Sequence, residues 1–276
     1  MNSKQNRYDL SGGYKNDRER RSALALVYPI FAYFLVCQIV NMLVGLLPNA
    51  AQIDAVKRQG MGSLAAFLVL WFCFIHGETT ASGEKKKVFT APVSGHLAAG
   101  MLMAVLLLGC AGIGMNNLIS LTELKQASDS YQTVEQAFYS SSLGWEILAL
   151  GLITPVAEEF LYRDIVFSRL RELMGRDGAI VGSALIFGLI HMNIVQTVYA
   201  CALGLVLGIL VEYYQDVRVA MCGHIAANVL SLLRGETGFL AGLQPGSTWF
   251  LPVTGILLAV VVLVAGMYIK KFKNSR

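Results

Sequence analysis

From residue 23 onward the chain alternates long apolar stretches with short polar interruptions. A helix that crosses a bilayer needs about 20 apolar residues, with about 17 to 25 tolerated. On that measure the pattern predicts about eight helices, near residues 23–47, 61–76, 97–120, 143–167, 179–192, 194–213, 219–233 and 249–269. The second, fifth and seventh are short, and the fifth and sixth are divided only by Met192 and Asn193. A count of six would require one short pair to be re-entrant. The segment 121–142 carries Glu123, Asp129 and Glu135 among Ser, Gln and Thr and reads as an external polar connection.

No repeat, low-complexity tract or linker divides the chain. The expected organisation is therefore a polar segment 1–22, one transmembrane domain 23–269 and a short tail 270–276. The first apolar run has no small-residue cleavage site close behind it, so it reads as a retained helix and not as a signal peptide.

Composition sharpens this into a polytopic, all-α transmembrane bundle. Of 276 residues, 55% are hydrophobic and only 14% charged, where soluble domains carry about 25% charged residues, and the mean hydropathy is +0.56. The net charge of +4 does not point to nucleic acid, because the Lys and Arg gather at the ends of apolar stretches, where they orient helices. With the N-terminus inside, 18 of the 22 fall on the cytoplasmic side, including Lys85, Lys86 and Lys87; Lys57, Arg58, Lys125 and Arg234 remain outside. Eight helices with both termini cytoplasmic satisfy that bias. Cys37, Cys73, Cys110, Cys201 and Cys222 are odd in number and lack zinc-ligand spacing, so they read as buried, reduced filler.

The chemistry lies in polar residues that lipid cannot satisfy. Ionisable groups inside spans are costly and by default mark a functional site, and here they recur in three neighbouring stretches, the candidate core at about residues 143–233: Glu158, Glu159 and Arg163; His191; and His224 with Asn228. At about 1.5 Å per residue, Glu158 lies about 22 Å from the outer end of its helix, in the cytoplasmic half. Glu159 and Arg163 are four apart on one face, which suits a structural ion pair. Glu158 points about 100° away, free to accept a proton. His191 is expected deep in the fifth helix, with Phe187 one turn before it; His224 and Asn228 share a face as a convergent donor pair. Glu146 and Asp164 near helix ends, and Glu212 and Asp216 beside a loop, read as solvated. His76 and His96, near helix ends, read as interfacial or packing residues, and Gly204–Gly208 as a small-residue packing face.

The three motifs, E-E-F-L-Y-R from Glu158, F-G-L-I-H ending at His191 and H-I-A-A-N from His224, resemble as a set those of the CAAX protease and bacteriocin-processing family, also called the Abi family. The resemblance implies an intramembrane endopeptidase fold related to the type II CAAX prenyl endopeptidases. It implies that Glu158 and His191 activate a water, that His224 and Asn228 donate to the oxyanion, and that Glu159 with Arg163 braces the site. It favours a metal-free glutamate mechanism with no cofactor.

Zinc at Glu158, His191 and His224 is the alternative, since one carboxylate and two imidazoles suit that ion. Against it, there is no H-E-x-x-H helix and no second carboxylate evidently paired with either histidine. The expected partners are the lipid bilayer and a peptide or protein substrate, lipidated substrates included; the expected location is a prokaryotic plasma membrane. Competing readings are a non-catalytic immunity or scaffold protein and a proton-coupled transporter. The second lacks the paired broken helices of transporter folds.

Overall fold

The computed structural model describes residues 23–75 and 92–274. The polar segment 1–22, His76, the lysines at 85–87 and Arg276 lie outside the described residues. Every regular element among the described residues is helical. In chain order, α1 is Ala23–Gly45, α2 Ala55–Leu70 with a wide turn at Trp71–Ile75, α3 Gly95–Ser120 and α4 Asp129–Phe138. A long helical run from Leu143 to Leu189 follows, broken at Gly175, whose φ of 73° and ψ of −174° no side-chain-bearing residue adopts comfortably. Residues 143–174 form α5 and residues 176–189 form α6. Then come α7 Ile194–Tyr214, α8 Val217–Thr237 and α9 Phe250–Asn274.

The reversal at Gly175 folds α6 back along α5, so that Arg163 and Tyr162 of α5 meet Phe187 of α6. A second reversal at Met192 (φ 55°) and Asn193 starts α7. Asn193 caps that helix by accepting from the Gln196 backbone N–H at 2.9 Å, while its side-chain amide donates to the Gln196 side chain. Gly204 lets α7 approach α6 closely: a methyl group there would sit 3.1 Å from the Ala184 backbone. The small-residue packing face expected at Gly204–Gly208 therefore exists and is structural.

The middle of α5 is buried on every side, from Glu159 through Phe167, as befits a helix at the centre of a bundle. It is enclosed by α2 and α8, with α3 packed along α8, and α1 against the later turns of α5. By contrast α1 and α9 turn large apolar side chains outward, including Phe31, Met42, Val262 and Leu263.

Among the described residues, length and composition qualify four helices to cross a membrane, Leu26–Gly45, Gly95–Ser120, Ile194–Tyr214 and Phe250–Phe272, and a fifth if Asp129–Phe138 and Leu143–Leu189 are taken as one span bent by 111°. Where they are described, the eight expected stretches are mainly helical, the fifth ending at Leu189, but not all meet that test: α8 carries Arg218, His224, Arg234 and Glu236 within its 21 residues. The chain is an integral membrane protein built of helices.

Several expectations need correction. The connection 121–142 contains α4, stabilised at its start by Ser128 accepting from the Tyr131 N–H. Glu146, Asp164, Glu212 and Asp216 are not solvated; their exposures are 0%, 1%, 8% and 5%. The reason is tertiary: α2 and α8 pack across the start of α5 over Glu146, Arg171 holds Glu212 with two guanidinium nitrogens, and Asp216 caps α8 and binds the Arg218 guanidinium at 2.9 Å. The cysteines are free, yet Cys73 is exposed and the other four only half-buried. His96 stacks on Tyr214 with ring centres 4.9 Å apart, a packing role as expected.

Candidate active site

The backbone of α5 is locally altered around the two glutamates. Thr154–Glu159 is an ordinary α-helical stretch between two wide, π-type turns at Ile147–Ile153 and Phe160–Val166. Such turns are rare and often mark functional sites. The first has a cause in the sequence: Thr154 N–H reaches back five residues to the Ala149 carbonyl. The next residue, Pro155, has no N–H to give in that register. The Leu150 carbonyl receives the Asn228 side-chain amide from α8 instead, at 3.0 Å.

Glu159 and Arg163 form the expected pair, 3.5 Å apart and both wholly buried. A buried pair of this kind costs much desolvation and is sound only with further hydrogen bonds. Arg163 reaches the Gly204 carbonyl on α7 and lies 4.8 Å over the Phe187 ring. Glu159 is also bonded to His224 on α8, Oε1 to Nδ1 at 2.9 Å. A carboxylate paired with arginine can only accept, so His224 Nδ1 carries the proton and donates it to Glu159. The opposite ring nitrogen, Nε2, faces Glu158, 3.9 Å from its Oε2. One imidazole thus spans both glutamates.

His191 is not inside a helix. It sits in the turn between α6 and α7, half-buried, with Nδ1 2.8 Å from the Phe187 carbonyl and its own carbonyl accepting from Asn193. A carbonyl likewise only accepts, so Nδ1–H donates and Nε2 is left open.

Of the residues expected at the site, Glu158, Glu159, Arg163 and His224 are therefore in one contact network. His191 joins it through Phe187, and Asn228 stands one turn from His224, holding α5. Phe187, the first residue of the F-G-L-I-H motif, makes T-shaped contacts with both histidines, at 5.1 and 5.6 Å between centres. Spacing could have flagged it, being four residues before His191. Asn193 is more than a divider between two apolar stretches: Asn three residues before Gln is a legible helix start. Nothing local could have signalled Ser63 of α2, which accepts from Thr154 at 3.1 Å, one turn before Glu158.

The metal question also moves. A carboxylate does pair with a histidine, Glu159 with His224, contrary to the reading of the spacing. Yet among the described residues no three His, Cys, Asp or Glu side chains converge as a metal-holding set.

The family described as Type II CAAX prenyl endopeptidase Rce1-like matches residues 140–230, the segment that carries all three motifs. The family read from the motifs, that of the CAAX protease and bacteriocin-processing proteins, is thus also the one found by comparison of the whole segment. No curated protein and no solved structure matches the chain.

Proposed function

We propose that the chain is an intramembrane endopeptidase, CAAX protease-like, that hydrolyses a peptide bond with a water activated by Glu158 and His191. The observation that carries this reading is the single buried network in which one imidazole spans Glu158 and Glu159 while Arg163 balances the latter. Peptide hydrolysis needs a base beside the attacking water and preorganised donors where negative charge develops. Glu158 takes the water proton. His191, with Nε2 open, orients that water.

His224 and Asn228 face the tetrahedral intermediate. With Nδ1–H committed to Glu159, a donor at His224 Nε2 requires the doubly protonated ring, and Glu159 balances the charge that results. Asn228 spends one amide hydrogen on Leu150 and keeps the other for the substrate oxygen. Glu159 and Arg163 brace the site; no cofactor enters the reading.

The substrate class is a peptide or protein, either a lipidated C-terminus of the CAAX kind or a peptide precursor such as a bacteriocin. The setting is a prokaryotic plasma membrane, with eight crossings, both termini cytoplasmic and the substrate arriving from that side. Glu158→Ala, His191→Ala and His224→Ala are each expected to abolish cleavage while the protein still accumulates in the membrane. Wild-type turnover in any of the three would remove the role assigned to that residue. Comparing the peptides of cells that carry wild type or Glu158→Gln would identify the substrate.

A further inference from the structure

Thr154 begins the short α-helical stretch that carries both glutamates, and Glu158 follows it by one turn on the same face. A threonine inside a helix commonly returns its hydroxyl to the carbonyl four residues back, here that of Leu150. Thr154 instead donates out of its helix, to Ser63 Oγ of α2 at 3.1 Å. The Leu150 carbonyl is left to the Asn228 amide of α8, at 3.0 Å. Two side-chain contacts, one from each flanking helix, thus close on the wide turn just before the glutamates.

Small residues bring those helices within reach. A methyl group on Gly60 of α2 would sit 2.7 Å from the Ala149 Cβ, inside the wide turn, and one on Gly151 would sit 3.0 Å from Val229 of α8. Ser63, one turn after Gly60, is wholly buried. It also receives the Gln59 amide at 3.2 Å and lies 3.2 Å from the Tyr33 hydroxyl of α1. Thr154 therefore meets an acceptor already held in place from α1 and α2.

The wide turn needs such an anchor. Thr154 N–H bonds to Ala149, five residues back, where an ordinary helix would use Leu150. Such turns are rare, and contacts from outside α5 hold this one. We propose that Ser63 and Thr154 are positioning residues of the reacting site. Their hydrogen bond holds residues 154–159 in the rotation that sets Glu159 against His224 Nδ1 at 2.9 Å, and it keeps the Leu150 carbonyl clear for Asn228. Helix α2, which lies outside the matched segment 140–230, thereby takes part in building the site.

The proposal rests on the α5 glutamates and His224 forming that site, so its test reads geometry and not turnover. The chain has four histidines, few enough to follow by NMR of the full chain, isotope-labelled on histidine nitrogen and held in phospholipid vesicles. The Nδ1 proton that His224 gives to a buried carboxylate produces a downfield signal, identified by its disappearance in His224→Asn. Thr154→Val, similar in shape but without the hydroxyl, is expected to abolish that signal. Thr154→Ser, which keeps the hydroxyl, is expected to retain it.

A signal that survives Thr154→Val would overturn the proposal. So would one lost in Thr154→Ser, which would assign the effect to packing of the methyl group. The signals of His96, stacked on Tyr214, are expected to stay in place; their movement along with His224 would mark a general disturbance and overturn the proposal too. If Thr154→Val does not accumulate, Ser63→Ala carries the test: loss of the signal supports the proposal and its retention overturns it. A wild-type chain that shows the signal but cleaves no peptide would sink the peptidase reading alone.

Discussion

Two ion pairs on α5 use the same chemistry and come to different ends. Glu159 and Arg163 pair within the helix at its fully buried centre. Nearer its other end Arg171 reaches across to Glu212 on α7 with two short contacts, 3.0 and 3.1 Å, and stays 27% exposed. The inner pair has the poorer geometry, 3.5 Å, and the heavier desolvation cost. It is held in place by what surrounds it: His224, the Gly204 carbonyl and the Phe187 ring. The outer pair joins two helices and nothing more. A costly arrangement with many partners stands at the candidate site, and a well-formed pair with few stands apart from it.

The largest way to break that contrast is Arg163→Ala, which strands Glu159 in the interior. Removing one partner of a buried pair costs about 3–5 kcal/mol, and the expected result is loss of folded protein from the membrane, measured by thermal unfolding and accumulation. Retention of wild-type stability would mean the pair is far better hydrated than its burial indicates. Glu212→Gln on the outer pair is expected to cost about 1 kcal/mol and to leave turnover unchanged. Salt should weaken the outer contribution more than the inner one.

Of the same order is the cap of α2, where Asp54 accepts from the Lys57 backbone at 3.0 Å and from Ser141 at 3.1 Å. Burial pushes the Asp54 carboxyl up, but the hydrogen bonds from Lys57 and Ser141 and the Lys57 charge outweigh it and hold the group below the usual carboxylate range. Asp54→Ala is expected to cost about 1 kcal/mol. A carboxyl lowered on folding contributes stability in full above its unfolded value near about 4 and loses it as pH falls through the folded value. The wild type and Asp54→Ala should therefore converge in unfolding temperature below about pH 4.

The two pairs also divide what the sequence could tell. Four-residue spacing exposes Glu159 with Arg163, and helix period alone predicts that they share a face. Arg171 and Glu212 are 41 residues apart, so their meeting depends on reversals at Gly175 and Met192. Apolar stretches located the helices, and three motifs located the residues of the candidate site. What period could not give was tertiary: the hydroxyl chain from Tyr33 to Thr154, the bridge from Glu159 to His224, and the burial of four acids that looked solvated because they stand near helix ends. His191 misled for a related reason. Its stretch is apolar to the last residue, and only the cap at Asn193 shows that the helix has already ended.

The two wide turns of α5 have a geometric consequence. Each holds one more residue than an ordinary helical turn, so side chains beyond it are advanced about the axis by roughly one residue's rotation, near 100°. With one such slip on either side of Thr154–Glu159, the six residues between them run on a phase of their own. The ends of α5 keep the orientation that their neighbours demand, while the centre is turned independently to bring its two glutamates under a single imidazole. A straight helix would have to choose between those two alignments; this one is indexed twice.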